Sequence, residues 1–175
     1  KLPPFPISKG DKTMTTDNIN KPKSFRLKVL TPTYTTLSVE INEDFPEYLT
    51  KSRRITGSND VYQMFKHLVD SPREEFWVLH LSSKNRLICA DKVSQGSLNS
   101  AIVHPCSVFS SAILSAAAGL IFIHQHPSGD PEPSREDKDL TAQLQEGAKL
   151  LGIRVLDSLV IGEDRYISFA DRGLL

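Results

Sequence analysis

Two histidines and an aspartate in the second half of the chain have the residue types and the spacing of metal ligands. His124 and His126 follow the apolar run Gly119–Ile123, and Asp137 comes after a loop of Pro, Gly, Ser and acidic residues. The run is short and β-branched and is bounded by Gly and Pro, which predicts a buried strand. Because residues two apart project from the same face of a strand, both imidazoles should point to one position at the strand end.

A helix predicted after the loop brings a carboxylate to the same position. Ser134 begins this helix as its N-cap, and Glu136 and Asp137 lie in the first turn as capping partners. The Asp137 side chain would then be free to turn back toward the histidine pair. Two imidazoles and one carboxylate, with water as the fourth ligand, are the set expected of a catalytic zinc site.

Each part of this pattern also occurs without a metal. A His-x-His at a strand end can be a pair of solvated side chains, and Ser-x-x-Asp before a helix is a common cap. A chance match to the complete spacing, in its strand, turn and helix context, is on the order of one in a few thousand for a chain of this length. We therefore interpret His124, His126 and Asp137 as ligands of one zinc ion per chain, in an open hydrolytic site.

Composition and charge indicate an ordinary globular protein. The 175 residues are 39% hydrophobic and 24% charged, with a formal net charge of zero. Zero net charge argues against a dedicated nucleic-acid-binding surface, although it does not exclude a local basic patch. Cys89 and Cys106 lie in apolar surroundings, which favours buried small hydrophobes in a reducing compartment. Without a long apolar run or a signal-peptide core, we expect a cytoplasmic protein with no membrane contact.

The chain divides near residue 57 into an N-terminal extension and a main domain. Residues 1–24 are rich in Pro, Lys, Thr, Asn and Asp without a period, which predicts a flexible linker or arm. Two segments that largely alternate apolar and polar residues, Phe25–Leu30 and Thr36–Ile41, predict a small hairpin or a partner-binding arm. The basic run Lys51–Arg54 is more typical of a solvated face than of a DNA contact.

Helices and strands alternate through residues 58–175, which predicts an α/β fold with a mixed sheet and helices packed on it. Ser58, Asn59 and Asp60 should cap the first helix, and Val108 and Ile113 should face inward from a later one. The predicted helices begin at Ser58, at Cys106 after Pro105 (ending at Ala117), and at Ser134 (ending at a C-cap on Gly152). The predicted strands, besides the histidine strand, are 76–81, 86–93, 154–161 and 166–169.

The combined pattern resembles a known family. The spacing His124-x-His126-x7-Ser134-x2-Asp137 matches the signature of the JAMM/MPN metalloproteases, whose best-known members are zinc-dependent deubiquitinases. The surrounding residues resemble one branch, the RadC family, over His126–Pro131, Glu146–Gly152, Val155–Asp157 and Tyr166–Phe169. The resemblance extends from about Ser58 to the C-terminus. It implies the three-layer, cytidine-deaminase-like α/β arrangement of JAMM/MPN domains. The chain departs from the pattern at Gln125, where RadC proteins usually have Asn.

The resemblance also implies the residues that assist the metal. JAMM proteins use a glutamate at the start of an earlier strand as the general base, and Glu74-Glu75 occupies the matching place. The RadC pattern favours Glu74, and Glu75 remains the alternative because neighbouring strand residues face opposite ways. Ser134 resembles the serine whose hydroxyl helps to stabilise the oxyanion, and it can equally be a helix cap alone.

Three functions are compatible with these residues. The first is a zinc metallohydrolase that cleaves a peptide or isopeptide bond in a protein or peptide substrate. The second is a DNA-processing factor, because the RadC name carries a DNA-repair association. RadC proteins usually have a helical region ahead of the domain, and residues 1–57 do not resemble it. The third is a non-catalytic scaffold, since some JAMM-like domains lack the ligands.

Overall fold

The computed structural model describes residues 52–96 and 103–175, together with Tyr34. Within these residues the chain forms three α-helices, one 3₁₀ helix and five strands. In chain order they are α1 (Ser58–Phe65), the 3₁₀ helix (Lys66–Asp70), β1 (Glu75–Leu81), β2 (Leu87–Gln95), α2 (Pro105–Leu114), β3 (Gly119–Gln125), α3 (Arg135–Leu150), β4 (Arg154–Ile161) and β5 (Tyr166–Ser168).

The five strands form one mixed sheet in the order β2-β1-β3-β4-β5. The β3 strand lies at the centre, antiparallel to β1 and parallel to β4. The two outer pairs, β1 with β2 and β4 with β5, are antiparallel. The predicted α/β class with a mixed sheet is therefore confirmed.

Helices cover both faces of the sheet, because alternate strand residues bury apolar side chains on opposite sides. One face packs against α1, and its cluster contains Val61, Phe65, Leu79, Leu81, Ile121, Ile123, Leu159 and Ile161. The other face packs against α2 and α3, and its cluster contains Phe76, Val78, Val108, Ala112, Leu120, Phe122, Leu144 and Ala148. The result is the expected three-layer arrangement. Even-numbered residues of β3 lie on the α2/α3 face.

The second helix differs from the sequence prediction at its end and on its inner face. It ends at Leu114 rather than Ala117, and Ala116 adopts a left-handed conformation with φ of 54°. Val108 is buried as predicted, but Ile113 is 58% exposed, so its inward assignment is wrong. The second inward residue is Ala112, which lies one turn after Val108 and therefore shares its face.

The first helix begins without the predicted cap. Its N-cap is Gly57, and no side chain caps it. The Ser58 hydroxyl instead donates to Asp171 Oδ2 at 2.6 Å, and the Asp60 carboxylate accepts hydrogen bonds from the Thr56 amide and hydroxyl. These polar side chains connect the start of α1 to the C-terminal segment and to the residues before the helix.

The cysteine prediction is also wrong in part. Cys106 is exposed on α2 and Cys89 is half-buried on β2, and neither forms a disulfide. The apolar neighbours in sequence misled the prediction, because Cys106 lies on the side of α2 away from Val108.

Part of the predicted extension belongs to the folded domain. The Ile55 amide donates to Asn85 O at 2.9 Å, and the Leu87 amide donates to Arg53 O at 2.7 Å, so residues 53–55 pair with the β1–β2 turn. The predicted hairpin of Phe25–Leu30 and Thr36–Ile41 lies outside the described residues. Among the residues that are described, no helix has the length and apolar character to span a membrane.

The packing of α3 can be tested with two leucines on the same helix. Leu144 is fully buried and Leu150 is 89% exposed. Leu144→Ala should lower the free energy of unfolding by about 2–5 kcal/mol, because it removes buried contacts and leaves a cavity. Leu150→Ala should change it by less than about 0.5 kcal/mol. Urea denaturation followed by circular dichroism measures both, and equal effects would contradict the assigned inner face.

Candidate metal centre

The two histidines lie at the carboxyl end of the central strand. His124 belongs to β3, where its backbone is opposite Phe76 of β1 and Val160 of β4. His126 follows directly, and its amide donates to Ile161 O at 3.0 Å, which continues the pairing with β4. Both side chains therefore project from the α2/α3 face, and the ring centroids are 5.1 Å apart.

Asp137, in the first turn of α3, brings its carboxylate to both imidazoles. Its Oδ1 lies 3.0 Å from His124 Nε2, and its Oδ2 lies 3.3 Å from His126 Nε2. One potential ligand atom from each side chain lies within 4.8 Å of the others. In a tetrahedral zinc site with ligand bonds near 2.0–2.1 Å, ligand atoms are about 3.3 Å apart. The observed separations fit such a set.

His124 is buried without the hydrogen bonds that burial normally requires. Its side chain is 4% exposed, and within the described residues neither Nδ1 nor Nε2 has a hydrogen-bond partner, although Nε2 lies 3.0 Å from Asp137 Oδ1 as a charge contact. The ring stacks against Phe76, with centroids 6.0 Å apart. An unpaired buried polar group costs about 1–3 kcal/mol. A metal ion on Nε2 would remove part of this cost, so the residues present fit a bound metal.

The orientation of His126 follows from a single backbone contact. Its Nδ1 lies 2.7 Å from the carbonyl oxygen of Asp130. A carbonyl only accepts, so Nδ1 carries a proton, and Nε2 is the nitrogen that faces Asp137 and the shared position. This second hydrogen bond is typical of histidines that ligate metals.

Ser134 caps α3 and also orients the carboxylate. Its hydroxyl accepts a hydrogen bond from the Asp137 amide at 3.1 Å, while its amide donates to Asp137 Oδ2 at 2.8 Å. The hydroxyl donates to the same Oδ2 at 2.6 Å. The predicted capping role of Ser134 is therefore present, with Asp137 as the reciprocal partner in a capping box.

The charges in this cluster stabilise one another. Burial alone raises the pKa of Asp137, but the contacts with His124, His126 and the Ser134 hydroxyl hold that pKa far below its usual range. The hydrogen bond to Asp137 raises the pKa of His126, and burial opposes it. The Asp130 carbonyl and the Glu74 carboxylate raise the pKa of His126 further. Asp137 is thus ionised and able to act as a ligand.

The two candidate bases lie on opposite faces of the sheet. Glu75 is buried and committed elsewhere, because its carboxylate accepts from Trp77 Nε1 at 2.8 Å and from Gln95 Nε2 at 3.3 Å. Glu74 directly precedes β1 and is two residues before Phe76. Because extended residues two apart point to the same side, Glu74 is expected on the face that carries the histidines. Its carboxylate is close enough to affect the pKa of His126. Of the two glutamates, only Glu74 has an electrostatic effect on a residue of the His124–His126–Asp137 cluster.

The His104 imidazole and the carboxylates of Asp130 and Glu132 lie outside the cluster. His104 is exposed at the N-cap of α2. The Asp130 and Glu132 carboxylates pair with Arg165 and Arg172, at 3.4 Å and 2.9 Å.

Comparison with known proteins agrees with the cluster and the fold. The model of the RadC-like JAB domain matches residues 55–174, which is most of the chain. The chain belongs to the RadC family. Proteins named UPF0758 are similar over the same region: one from Methanosarcina acetivorans is 48% identical over 124 residues, and one from Trichlorobacter lovleyi is 50% identical over 123. Both matches cover 70% of this chain and 54% of the relative, so the chain spans about half the length of these relatives.

In this RadC-family protein, Gln125 has a role that sequence reasoning missed. The residue is buried on the face opposite the histidines. Its Oε1 accepts from the Glu75 amide at 2.7 Å, and its Nε2 donates to the carbonyl oxygens of Arg73 and, at 3.4 Å, Ser71. One side chain therefore holds the backbone on both sides of Glu74. The one sequence feature that pointed to Gln125 was its position between the two histidines. No local pattern predicts which backbone groups a buried side-chain amide will hydrogen-bond.

Gly162 is a second residue whose role sequence reasoning missed. A Cβ at this position would lie 2.6 Å from Pro131 Cδ and closer still to the Gly129 carbonyl oxygen. Only glycine permits this approach of the β4–β5 turn to the loop of residues 129–131. Because that loop carries the Asp130 carbonyl, Gly162 indirectly determines the orientation of His126.

The contribution of the Gln125 hydrogen bonds to stability can be tested by substitution. Gln125→Ala removes partners from the Glu75 amide and the Arg73 carbonyl, and we expect unfolding to become easier by about 1–3 kcal/mol for each group left unpaired. Gln125→Glu keeps an acceptor for the Glu75 amide but places a buried carboxylate against the Arg73 carbonyl, so it should destabilise the fold at least as much as Gln125→Ala. Gln143→Ala, on the exposed side of α3, is the matched control. Urea titration would contradict the assignment if Gln125→Ala and Gln143→Ala were equally stable.

Proposed function

We propose that this protein is a zinc-dependent metallohydrolase that cleaves a peptide or isopeptide bond. The observation that carries the proposal is His124, whose buried ring nitrogens lack hydrogen-bond partners beside His126 and the ionised Asp137. Two imidazoles and one carboxylate form the donor set of catalytic zinc sites. Membership of the RadC-like JAB family supports the same chemistry.

In the proposed site, His124, His126 and Asp137 hold the metal. Bound zinc would lower the pKa of a coordinated water to about 7 and so supply a nucleophile at neutral pH. The Asp130 carbonyl keeps the Nδ1 proton on His126, and the Ser134 amide and hydroxyl hold the Asp137 carboxylate. Side-chain exposures of 18% for His126 and 13% for Asp137 leave one side of the site open to a substrate.

Glu74 is the proposed general base. It accepts the proton of the attacking water and then donates it to the leaving amine, as a positioned carboxylate does in general acid–base catalysis. Two observations support the role. Glu74 lies on the histidine face, and within the described part of the chain no side chain pairs with its carboxylate. Gln125 acts as a positioning residue, because it holds the backbone on both sides of Glu74.

Ser134 has two proposed roles that compete for one proton. As a cap it donates its hydroxyl proton to Asp137 Oδ2 at 2.6 Å. To donate to a developing oxyanion, the hydroxyl must leave this oxygen, and the Ser134 amide would then hold Asp137 alone. A hydrogen-bond donor of this kind stabilises the transition state more than it strengthens substrate binding.

The alternatives have less support. Phosphodiester cleavage by metals more often uses two ions and additional carboxylates. Within the described residues, His124, His126 and Asp137 form the one group of metal-binding type. A scaffold without activity would not require these three ligands together with a free carboxylate at Glu74. We therefore propose a protein or peptide substrate.

The zinc proposal predicts metal content. Protein purified without added metal should contain close to one zinc per chain, and His124→Ala, His126→Ala and Asp137→Ala should each lose it. His104→Ala, an exposed histidine outside the cluster, is the matched control and should retain the metal. Elemental analysis of purified protein measures the ratio. Full zinc content in the His124→Ala/His126→Ala double variant would show that the ligands are elsewhere.

The general-base proposal predicts that Glu74→Gln keeps zinc while hydrolysis falls by about 10²–10⁴-fold, the usual contribution of a positioned base. Activity is measured with peptide libraries and, in parallel, with DNA, each with and without a chelator. Glu75→Gln is the control: it should retain turnover but lose stability, because it weakens buried contacts with Trp77 and Gln95. Loss of turnover in Glu75→Gln alone would identify Glu75 as the base. Chelator-sensitive cleavage of DNA and not of peptides would favour the DNA-processing alternative.

A further inference from the structure

A pocket lined by four cations lies at the end of the sheet opposite the metal centre. We call it the basic pocket, and its volume is about 340 Å³. Its lining residues are Arg54, Ser83, Lys84, Asn85, Arg86 and Arg154. Arg154 pairs with Gly119 at the start of β3, whereas His124 lies five residues further along that strand. At about 3.3 Å per residue, the two sites are separated by roughly 16 Å.

The backbone that carries these cations is held rigidly. Arg54 and Arg86 are opposite each other in an isolated antiparallel bridge. Hydrogen bonds of 2.9 Å from the Ile55 amide to Asn85 O and of 2.7 Å from the Leu87 amide to Arg53 O flank the bridge. The backbone positions of Arg54 and Arg86 are therefore fixed by the fold, and all four cationic side chains are exposed.

The cations have no acidic partner among the residues that the structure describes. No carboxylate lines the basic pocket, and within the described ranges none of the four cationic side chains forms a salt bridge. Like charges directly opposite across two strands are destabilising. The chain as a whole has a formal net charge of zero, so the pocket is a local separation of charge. An anion in the pocket would relieve this repulsion.

The polar groups of the pocket are donors. Asn85 Oδ1 accepts from Arg154 Nη2 at 3.2 Å, which leaves the amide nitrogen of Asn85 as its free donor. The Ser83 hydroxyl and the guanidinium groups add further donors. Arginine forks match the geometry of phosphate oxygens. No aromatic side chain lines the pocket, so it offers no surface for stacking a base.

We propose that the basic pocket binds a phosphate group, either free or as part of a larger phosphate ester. The pocket volume is at the small end of the range for small-molecule sites, so it has room for a phosphate and part of its ester. This site is independent of the metal centre and does not rest on the proposed hydrolase activity.

Thermal unfolding and calorimetry test the proposal at constant ionic strength, which keeps screening equal across ligands. The ligands are inorganic phosphate, a nucleoside diphosphate and a short single-stranded oligonucleotide, with chloride as the control. Saturable binding of phosphate should raise Tm, because a ligand specific for the folded state stabilises it. Binding of the oligonucleotide far more tightly than phosphate indicates a nucleic-acid source, and similar affinities indicate free phosphate or a small ester.

Substitutions in the basic pocket distinguish specific phosphate binding there from general effects of ions on the protein. Lys84→Gln and Arg86→Gln should each weaken binding by about tenfold or more, the usual worth of a charge-assisted hydrogen bond. They should also raise Tm of the free protein, since they remove repulsion. Lys149→Gln, an exposed lysine on α3, should change neither quantity. The proposal is overturned if none of the ligands binds saturably, or if Lys84→Gln and Arg86→Gln both bind as the unaltered protein does.

Discussion

The Asp137 carboxylate joins the start of α3 to the end of the central strand β3. Its Oδ2 accepts from the Ser134 amide and hydroxyl at the start of α3, and its two oxygens approach His124 and His126 at the end of β3. A carboxylate in the first turn also interacts favourably with the helix dipole. The start of α3 therefore cannot shift relative to β3 without breaking either the cap or the histidine contacts. The buried residues Leu144 and Ala148, further along the same helix, hold it in this position.

Side chains of β3 that point to opposite faces of the sheet have different roles. His124 and His126 project toward α2 and α3, where the candidate ligands meet. Gln125, between them, projects to the other face and holds the segment that precedes β1. A slip of one residue in the pairing of β1 with β3 would exchange these faces. The same register puts Glu74 on the histidine side, while Glu75 shares the opposite face with Trp77 of its own strand. One strand register thus determines the positions of the candidate ligands and of the candidate base.

The two ends of the sheet differ in charge. Imidazoles and carboxylates gather at the carboxyl end of β3, and cations gather at its amino end around the β1–β2 turn. A net charge of zero conceals this separation. The sequence suggested that the run Lys51–Arg54 is a solvated face. Arg54 is exposed, in agreement with this, and it lines the basic pocket with Lys84, Arg86 and Arg154, which come from distant parts of the chain.

Local patterns in the sequence were enough for the features that depend on neighbouring residues. The strand Arg154–Ile161, the Ser134 cap and the shared face of the two histidines follow from periodicity and capping rules, because each is determined within a few residues. Tertiary structure decided the rest. The contacts of Gln125, the close approach of Gly162, the exposure of Ile113 and the basic pocket all depend on which residues, far apart in sequence, the sheet brings together. Glu74 and Glu75 are adjacent and chemically alike, so only the register of β1 against β3 and the packing of each face distinguish them.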